Sequence, residues 1–423
     1  MIIFVALILT LLFLGIGTHV AVALGLVTAL LVLSIEGVPP TVIAQTAFKS
    51  VNSYSLMAIP MFVLAGNLMM RGRIAELMIE LVGSVVRAIR GGLAQTVLIT
   101  SVFFAAVSGS SVGSAAAIGS STVSALRREQ YPARFSAAIV AVGGTLGLMI
   151  PPSLGFILIG SIVGLPVDQL FMAGILPGLM EAGLLSIGVY IMVRRGNYGV
   201  RAQRPDWKGF RTRFPKAFPA LLMPVLVIGS IYSGFMTPTE VSALAAAYAA
   251  LLGIFIYRSI GLNDFWAVAR ESMLQTTMIF AVVMGGSLVG FVMARMGVSA
   301  SLVQAISDMN MEPWMFLLAV NLILLVLGMF LDGIALIVLT APLLFPLAQS
   351  LGIDPIHFAV IMVANVEIAT LTPPIGLNLF VIGGIAKLPV HEVARGVLPF
   401  FLVRMTGLML ITYIPAISLA LVR

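Results

Sequence analysis

The sequence predicts an all-α polytopic membrane protein of two inverted-topology repeats, with re-entrant helical hairpins and broken helices. Three observations carry this. Sixty per cent of the residues are hydrophobic and nine per cent charged, more apolar surface than a water-soluble domain can hide. One signature occurs twice, half a chain apart. Loops at equivalent places in the two halves carry opposite charge.

The repeated signature is built on prolines. The first half holds Tyr131-Pro132, Phe135, Pro151-Pro152-Ser153, Leu165-Pro166-Val167 and Leu176-Pro177. The second holds Asp354-Pro355, Phe358, Pro373-Pro374-Ile375, Leu388-Pro389-Val390 and Leu398-Pro399, displaced by 222 or 223 residues. A double proline inside an apolar helix is a poor way to build an ordinary span. Secondary transporters use such broken helices at mid-membrane, one in each of two repeats. The apolar runs are long and continuous, unlike the short alternating strands of a membrane β-barrel. With zero cysteines, disulfides and Cys-ligated metals are excluded.

Along the chain, residues 2–35 form one or two apolar spans interrupted at Gly15–Thr18, with no Lys or Arg ahead of Ile2. They read as retained spans, not a cleaved signal. Ser55–Met70 is a further apolar segment. Arg73, Glu76, Glu80, Arg87 and Arg90 then share one narrow helical face, as on a helix lying along the membrane surface. Asp264, Glu271 and Gln275 form a weaker counterpart before the apolar run Thr276–Met293.

The net charge of +7 is local. Arg194, Arg195, Arg201, Arg204, Lys208, Arg211, Arg213 and Lys216 lie together against only Asp206, and the remaining chain is neutral. Flanked by apolar spans, this stretch reads as a cytoplasmic loop and not as a nucleic-acid surface. It divides the chain into a first repeat at 1–193, a basic loop at 194–216 and a second, inverted repeat at 217–423. The inversion rests on charge. Leu93–Leu126 is bracketed by Arg87, Arg90, Arg127, Arg128 and Arg134, whereas its counterpart Trp314–Ala348 is bracketed by Asp308, Glu312 and Asp354. Conversely, Gly164–Phe171 has no base and Lys387–Arg395 has two. Opposite charge at equivalent loops predicts opposite orientation.

Proline cannot donate a hydrogen bond, so Pro151 and Pro152 leave the carbonyls of Gly147 and Leu148 without their helical donors. Pro373 and Pro374 do the same to Ala369 and Thr370. In hydrocarbon such carbonyls must be satisfied, and a hard cation such as Na+ satisfies them. Ser108, Ser110 and Ser111 supply further oxygens from the facing segment; in the second half Gly328, Asp332, Thr370 and Thr372 take the same roles. Asp332 stands in an otherwise uncharged run. Arg295 caps another apolar run, where it either snorkels to the interface or, if interior, offers a planar fork that suits a carboxylate. Ser111, Ser153 and Asn378 are candidate polar contacts to substrate. Glu181 and Glu367 are also intramembrane by position. One rival class remains: Gly109–Gly113 matches G-x-S-x-G, so an intramembrane hydrolase would use Ser111. That motif needs a strand–turn–helix and a His/acid pair, and the histidines are His19, His357 and His391.

Several segments together resemble the large membrane subunit (DctM-like, M subunit) of tripartite ATP-independent periplasmic (TRAP) transporters. They are Ile59-Pro60-Met61-Phe62, Ser108-Gly109-Ser110-Ser111-Val112, Ile150-Pro151-Pro152-Ser153, Gly352-Ile353-Asp354-Pro355 and Thr372-Pro373-Pro374-Ile375-Gly376. The resemblance implies a non-enzymatic, sodium-coupled importer of an organic anion: a C4-dicarboxylate, sugar acid or keto acid. It implies residence in a bacterial inner membrane, an elevator-type motion, a small four-helix membrane subunit (DctQ-like) and a periplasmic substrate-binding protein (DctP-like). It places one sodium site on Ser108, Ser110, Gly147 and Pro152. A second falls on Gly328, Asp332, Thr370, Thr372 and Gly376, with Arg295 near the substrate. Ser114 departs from the pattern, since many relatives carry an acid there. The alternative is a stand-alone divalent-anion/sodium symporter, whose Ser-Asn-Thr triplets are absent.

Overall fold

A computed structural model describes residues 8–10, 12–13, 18–33, 39–199 and 205–422. The break expected at Gly15–Thr18 lies mostly outside them, as do Arg201 and Arg204. The first half comprises α1 (Val20–Leu33), α2 (Pro40–Val51), α3 (Ala58–Arg71), α4 (Ile74–Val86), α5 (Gly92–Ser108), α6 (Ser111–Arg128), α7 (Ala133–Met149), α8 (Leu154–Val163) and α9 (Val167–Gly196). The second comprises α10 (Trp207–Tyr232), α11 (Pro238–Leu251), α12 (Leu262–Arg295), α13 (Val298–Asp308), α14 (Pro313–Gly328), α15 (Gly333–Ser350), α16 (Pro355–Ala369), α17 (Leu377–Ala386), α18 (Val390–Tyr413) and α19 (Pro415–Leu419). Among the described residues seven helices are long and apolar enough to cross a membrane, or up to eight if one bent pair counts as a span. This is a multi-pass membrane protein.

Helices α5–α9 and α14–α18 begin at positions displaced by 221 to 223 residues. Ahead of them the halves differ. The pair α2 and α3 is bent by 57°, whereas the same stretch of the second half is the single 34-residue α12. Asp264, Glu271 and Gln275 therefore belong to a long span and are no counterpart of the surface helix; α13 follows α12 as α4 follows α3. In α4, Ile74, Met78 and Leu81 are buried while Glu76 and Glu80 are exposed, which is the expected amphipathic face.

Residues 194–216 are not one loop. Arg194 and Arg195 close α9, where cations favour the helix dipole, and Lys208 to Lys216 lie in the first turns of α10. Asp206 caps α10, accepting from the Gly209 amide at 2.7 Å.

The halves interlock. Helix α8 packs on α15 of the other half, and α17 packs on α6 and α7. The basic loops gather at one end. Arg87 pairs with Glu129 at 3.3 Å, Arg90 donates to Asn197 at 2.6 Å, Arg127 donates to the Ala386 carbonyl at 2.7 Å, and Arg134 pairs with Glu392. The loop after α6 thus sits beside the loop after α17.

Candidate cation and substrate site

Two helix breaks in each half build the site. Gly109, with φ +60°, ends α5, and Ser110 starts α6 by accepting from the Gly113 amide at 3.2 Å. A Cβ on Gly109 would lie 2.8 Å from the Pro152 carbonyl oxygen, so only glycine lets the two breaks touch in this conformation. The Leu154 amide donates to the Gly109 carbonyl at 3.2 Å. The second half repeats the tie: the Ile375 amide donates to the Met329 carbonyl at 3.1 Å. There Asp332 is the helix cap, accepting from the Ala335 amide at 2.7 Å. Ser110 and Asp332 are 222 residues apart and occupy equivalent corners. Helices α7 and α8 form one 31-residue apolar path through Pro151–Pro152, so that double proline interrupts a span without reversing it. Both double prolines contain a cis peptide bond.

The first candidate set converges. Ser108 and Ser114 hydroxyls lie 2.6 Å apart, and a Cβ on Gly147 would sit 2.8 Å from both the Ser110 carbonyl and the Ser114 hydroxyl. Ser114 is therefore part of this corner, although it departs from the family pattern. Three of the four carbonyls freed by proline find donors inside the protein. Leu148 accepts from the Ser153 hydroxyl, Ala369 from the Thr372 amide at 3.1 Å and Thr370 from the Asn378 amide at 3.2 Å. Among the described residues none donates to the Gly147 carbonyl.

The second set also converges. The Thr370 and Thr372 hydroxyls donate to the carbonyls of Glu367 and Ile368 at 2.7 and 2.8 Å. Each keeps oxygen lone pairs for a cation. The Gly376 amide donates to Thr372 at 3.1 Å, and Gly328 closes α14 beside Ala369. Asp332 and Thr370 line a cavity of about 140 Å³ together with Ser110 and Ser111. Ser110 also lines a larger cavity of about 490 Å³, whose polar wall includes Asn67, Ser108, Glu271 and Gln275. Among the described lining residues Glu271 and Asp332 are the only charged ones.

The proposed substrate contacts fare differently. Asn378 joins the halves by donating to Ser111 at 2.7 Å and to the Ala141 carbonyl at 3.0 Å. Its Oδ1 is buried without a hydrogen-bond partner among the described residues. Ser153 is fully buried as the cap of α8, accepting from Phe156, and lines neither of the two cavities. Arg295 is exposed at the end of α12, about 24 Å along the helix from Ile279, where α12 lines the larger cavity. It is not brought to the breaks. The hydrolase reading also fails, because Ser111 sits at a helix–break–helix and its hydroxyl meets an amide donor.

Sequence reasoning missed one group altogether. Arg404 is buried to 1% exposure and pairs with Glu181 and Glu367, each at 2.5 Å. No charge pattern marks this arginine, because its partners lie 223 and 37 residues away.

Comparison with known proteins agrees with this architecture. Residues 5–417 match the family model described as tripartite ATP-independent periplasmic transporter, DctM component. The chain is 39% identical over 401 residues to the C4-dicarboxylate TRAP transporter large permease protein DctM of Pseudomonas aeruginosa, covering 94% of this chain and 93% of that one. It is 36% identical over 409 residues to the isethionate TRAP transporter permease protein DctMQ of Oleidesulfovibrio alaskensis, covering 96% of this chain and 64% of that longer protein. Among solved structures, the YdaH transporter of Alcanivorax borkumensis superposes with a TM-score of 0.67 at 14% identity, over 95% of this chain and 97% of that one. The chain belongs to the DctM family, the large permease subunits of tripartite ATP-independent periplasmic transporters.

Proposed function

We propose that this permease couples sodium to the import of an organic carboxylate across a bacterial inner membrane. It works with a small DctQ-like membrane subunit and a DctP-like periplasmic protein that delivers the substrate. The observation that carries this reading is the pairing of hard oxygens with missing positive charge. Serine and threonine hydroxyls, the donor-free Gly147 carbonyl and Asp332 lie at the breaks, while among the described residues no Lys or Arg lines either cavity. Among the described lining residues the only charged groups an anion would meet there are the carboxyls of Glu271 and Asp332, and sodium held at the two sets of oxygens would balance it. Carbonyl, hydroxyl and carboxylate oxygens are the ligands such an ion favours. The relatives named for C4-dicarboxylate and isethionate support an organic acid as cargo.

Inverted halves are supported by the loop after α6 lying beside the loop after α17. In the motion we propose, α5–α9 with α14–α18 slide as an elevator against α1–α4 and α10–α12. To test the function, the cognate binding protein is first screened for thermal stabilisation by organic carboxylates. The best of these is then offered, with the binding protein, to proteoliposomes holding both membrane subunits. Uptake that requires a sodium gradient is expected; equal uptake in potassium would contradict the reading.

A further inference from the structure

Thr145, Glu181, Glu367 and Arg404 form one buried cluster. Arg404 Nη1 meets Glu181 Oε2 at 2.5 Å, while Nη2 meets both Glu367 Oε2 and the Thr145 hydroxyl at 2.5 Å. All four side chains are at most 1% exposed. They come from α7, α9, α16 and α18, two helices from each half. Glu181 and Arg404 are 223 residues apart, and Thr145 and Glu367 are 222 apart. These are the displacements that relate the helices themselves. The cluster is thus two pairs of equivalent positions meeting where the halves interchange.

Each side of it reaches one helix break. Thr145 stands two residues before Gly147, whose carbonyl has no donor among the described residues. The carbonyl of Glu367 accepts the Thr370 hydroxyl at 2.7 Å. One guanidinium therefore grips the helix leading into the first set of oxygens and the helix leading into the second. The partners of a buried, charge-assisted network are held to one another, so displacing one displaces the other.

We infer that Arg404, held from α9 by Glu181, is a positioning residue that links the two cation sites, so that filling one raises the affinity of the other. This rests on the sodium reading above. The coupling needs no direct contact between ions, only a shared element whose position both sites bias.

The test is the thermal unfolding of the full-length protein in detergent, titrated with NaCl against KCl at constant ionic strength. Binding to the native state raises the unfolding temperature with a sodium dependence that reports affinity and cooperativity. Wild type should respond with a Hill slope above about one, and Glu181→Gln and Arg404→Lys should bring the slope to about one and raise the sodium midpoint about fivefold or more. A purely structural role would lower the unfolding temperature equally at every sodium concentration, leaving slope and midpoint unchanged. Glu181→Gln keeps the side-chain size and the other contacts of Arg404, so it carries the test should Arg404→Lys fail to fold. Wild-type slope and midpoint in folded Glu181→Gln would overturn the coupling. A wild-type protein indifferent to sodium would remove the sodium reading itself, and the coupling with it.

Discussion

The two halves place different chemistry on nearly the same frame. Where the first has Ser110 as the cap of α6, the second has Asp332 as the cap of α15. Where the first has Ser153 capping α8, the second has Gly376. Thr145 answers to Glu367, and Glu181 to Arg404. The first corner is therefore built from serines and backbone, while the second adds a carboxyl group. The difference teaches that equivalent sites need not bind an ion equally well. A carboxylate contributes charge, whereas hydroxyls and carbonyls contribute only dipoles.

The largest effect falls where the halves join. Arg404→Ala leaves Glu181 and Glu367 buried together without their guanidinium, and a broken buried pair costs about 3–5 kcal/mol. Loss of the folded, monodisperse protein on size exclusion is expected. Exchanging the two residues, Glu181→Arg with Arg404→Glu, sharpens the comparison. If the positions are equivalent, the guanidinium moved onto α9 would reach Glu367 and Thr145 from the other side. The double variant should then recover most of the stability lost in either single one. A double variant as unstable as the sum of the singles would show that the halves are not interchangeable there.

Next comes the charge difference itself. Asp332→Asn keeps the shape and the cap but removes the charge, at a cost of about 1.5–3 kcal/mol in ion binding, or about tenfold to a hundredfold in sodium affinity. Uptake against sodium concentration reads it, with surface expression matched. Gly109→Ala tests the touching breaks: a left-handed backbone costs a non-glycine residue about 1–2 kcal/mol, and the new methyl meets the Pro152 carbonyl. A drop in unfolding temperature together with slower uptake is expected. Smallest is Ser110→Ala, which removes a helix cap worth about 1 kcal/mol. It should weaken sodium dependence about fivefold, and less than Asp332→Asn does. The reverse order would break the comparison.

Much of this was legible in the sequence, for physical reasons. The double prolines and small-residue runs mark helix breaks because a missing donor and a missing side chain act locally. Ser108, Ser110, Gly147 and Thr370 were placed beside the breaks that way, and Asp332 by being the lone charge of its run; the structure has all five at the breaks. Arg404 was not, since a lone arginine in an apolar run shows neither its depth nor its partners until the helices pack. The position of Arg295 away from the breaks was hidden for a related reason: a cation ending an apolar run reads alike at a substrate and at an exposed helix end. The unbroken α12 opposite the bent α2 and α3 was hidden too, because both stretches are equally apolar. Ser153 looked like a ligand group because the sequence cannot show that its hydroxyl donates to the Leu148 carbonyl.

Sodium binding by the purified protein, measured calorimetrically with NaCl, tests the central claim most directly. Wild type should bind sodium at two sites, and Asp332→Asn should lose the tighter one while the serine-built site remains. Equal stoichiometry and affinity in the two proteins would contradict the assignment of Asp332 and its carbonyl and hydroxyl neighbours as a cation site.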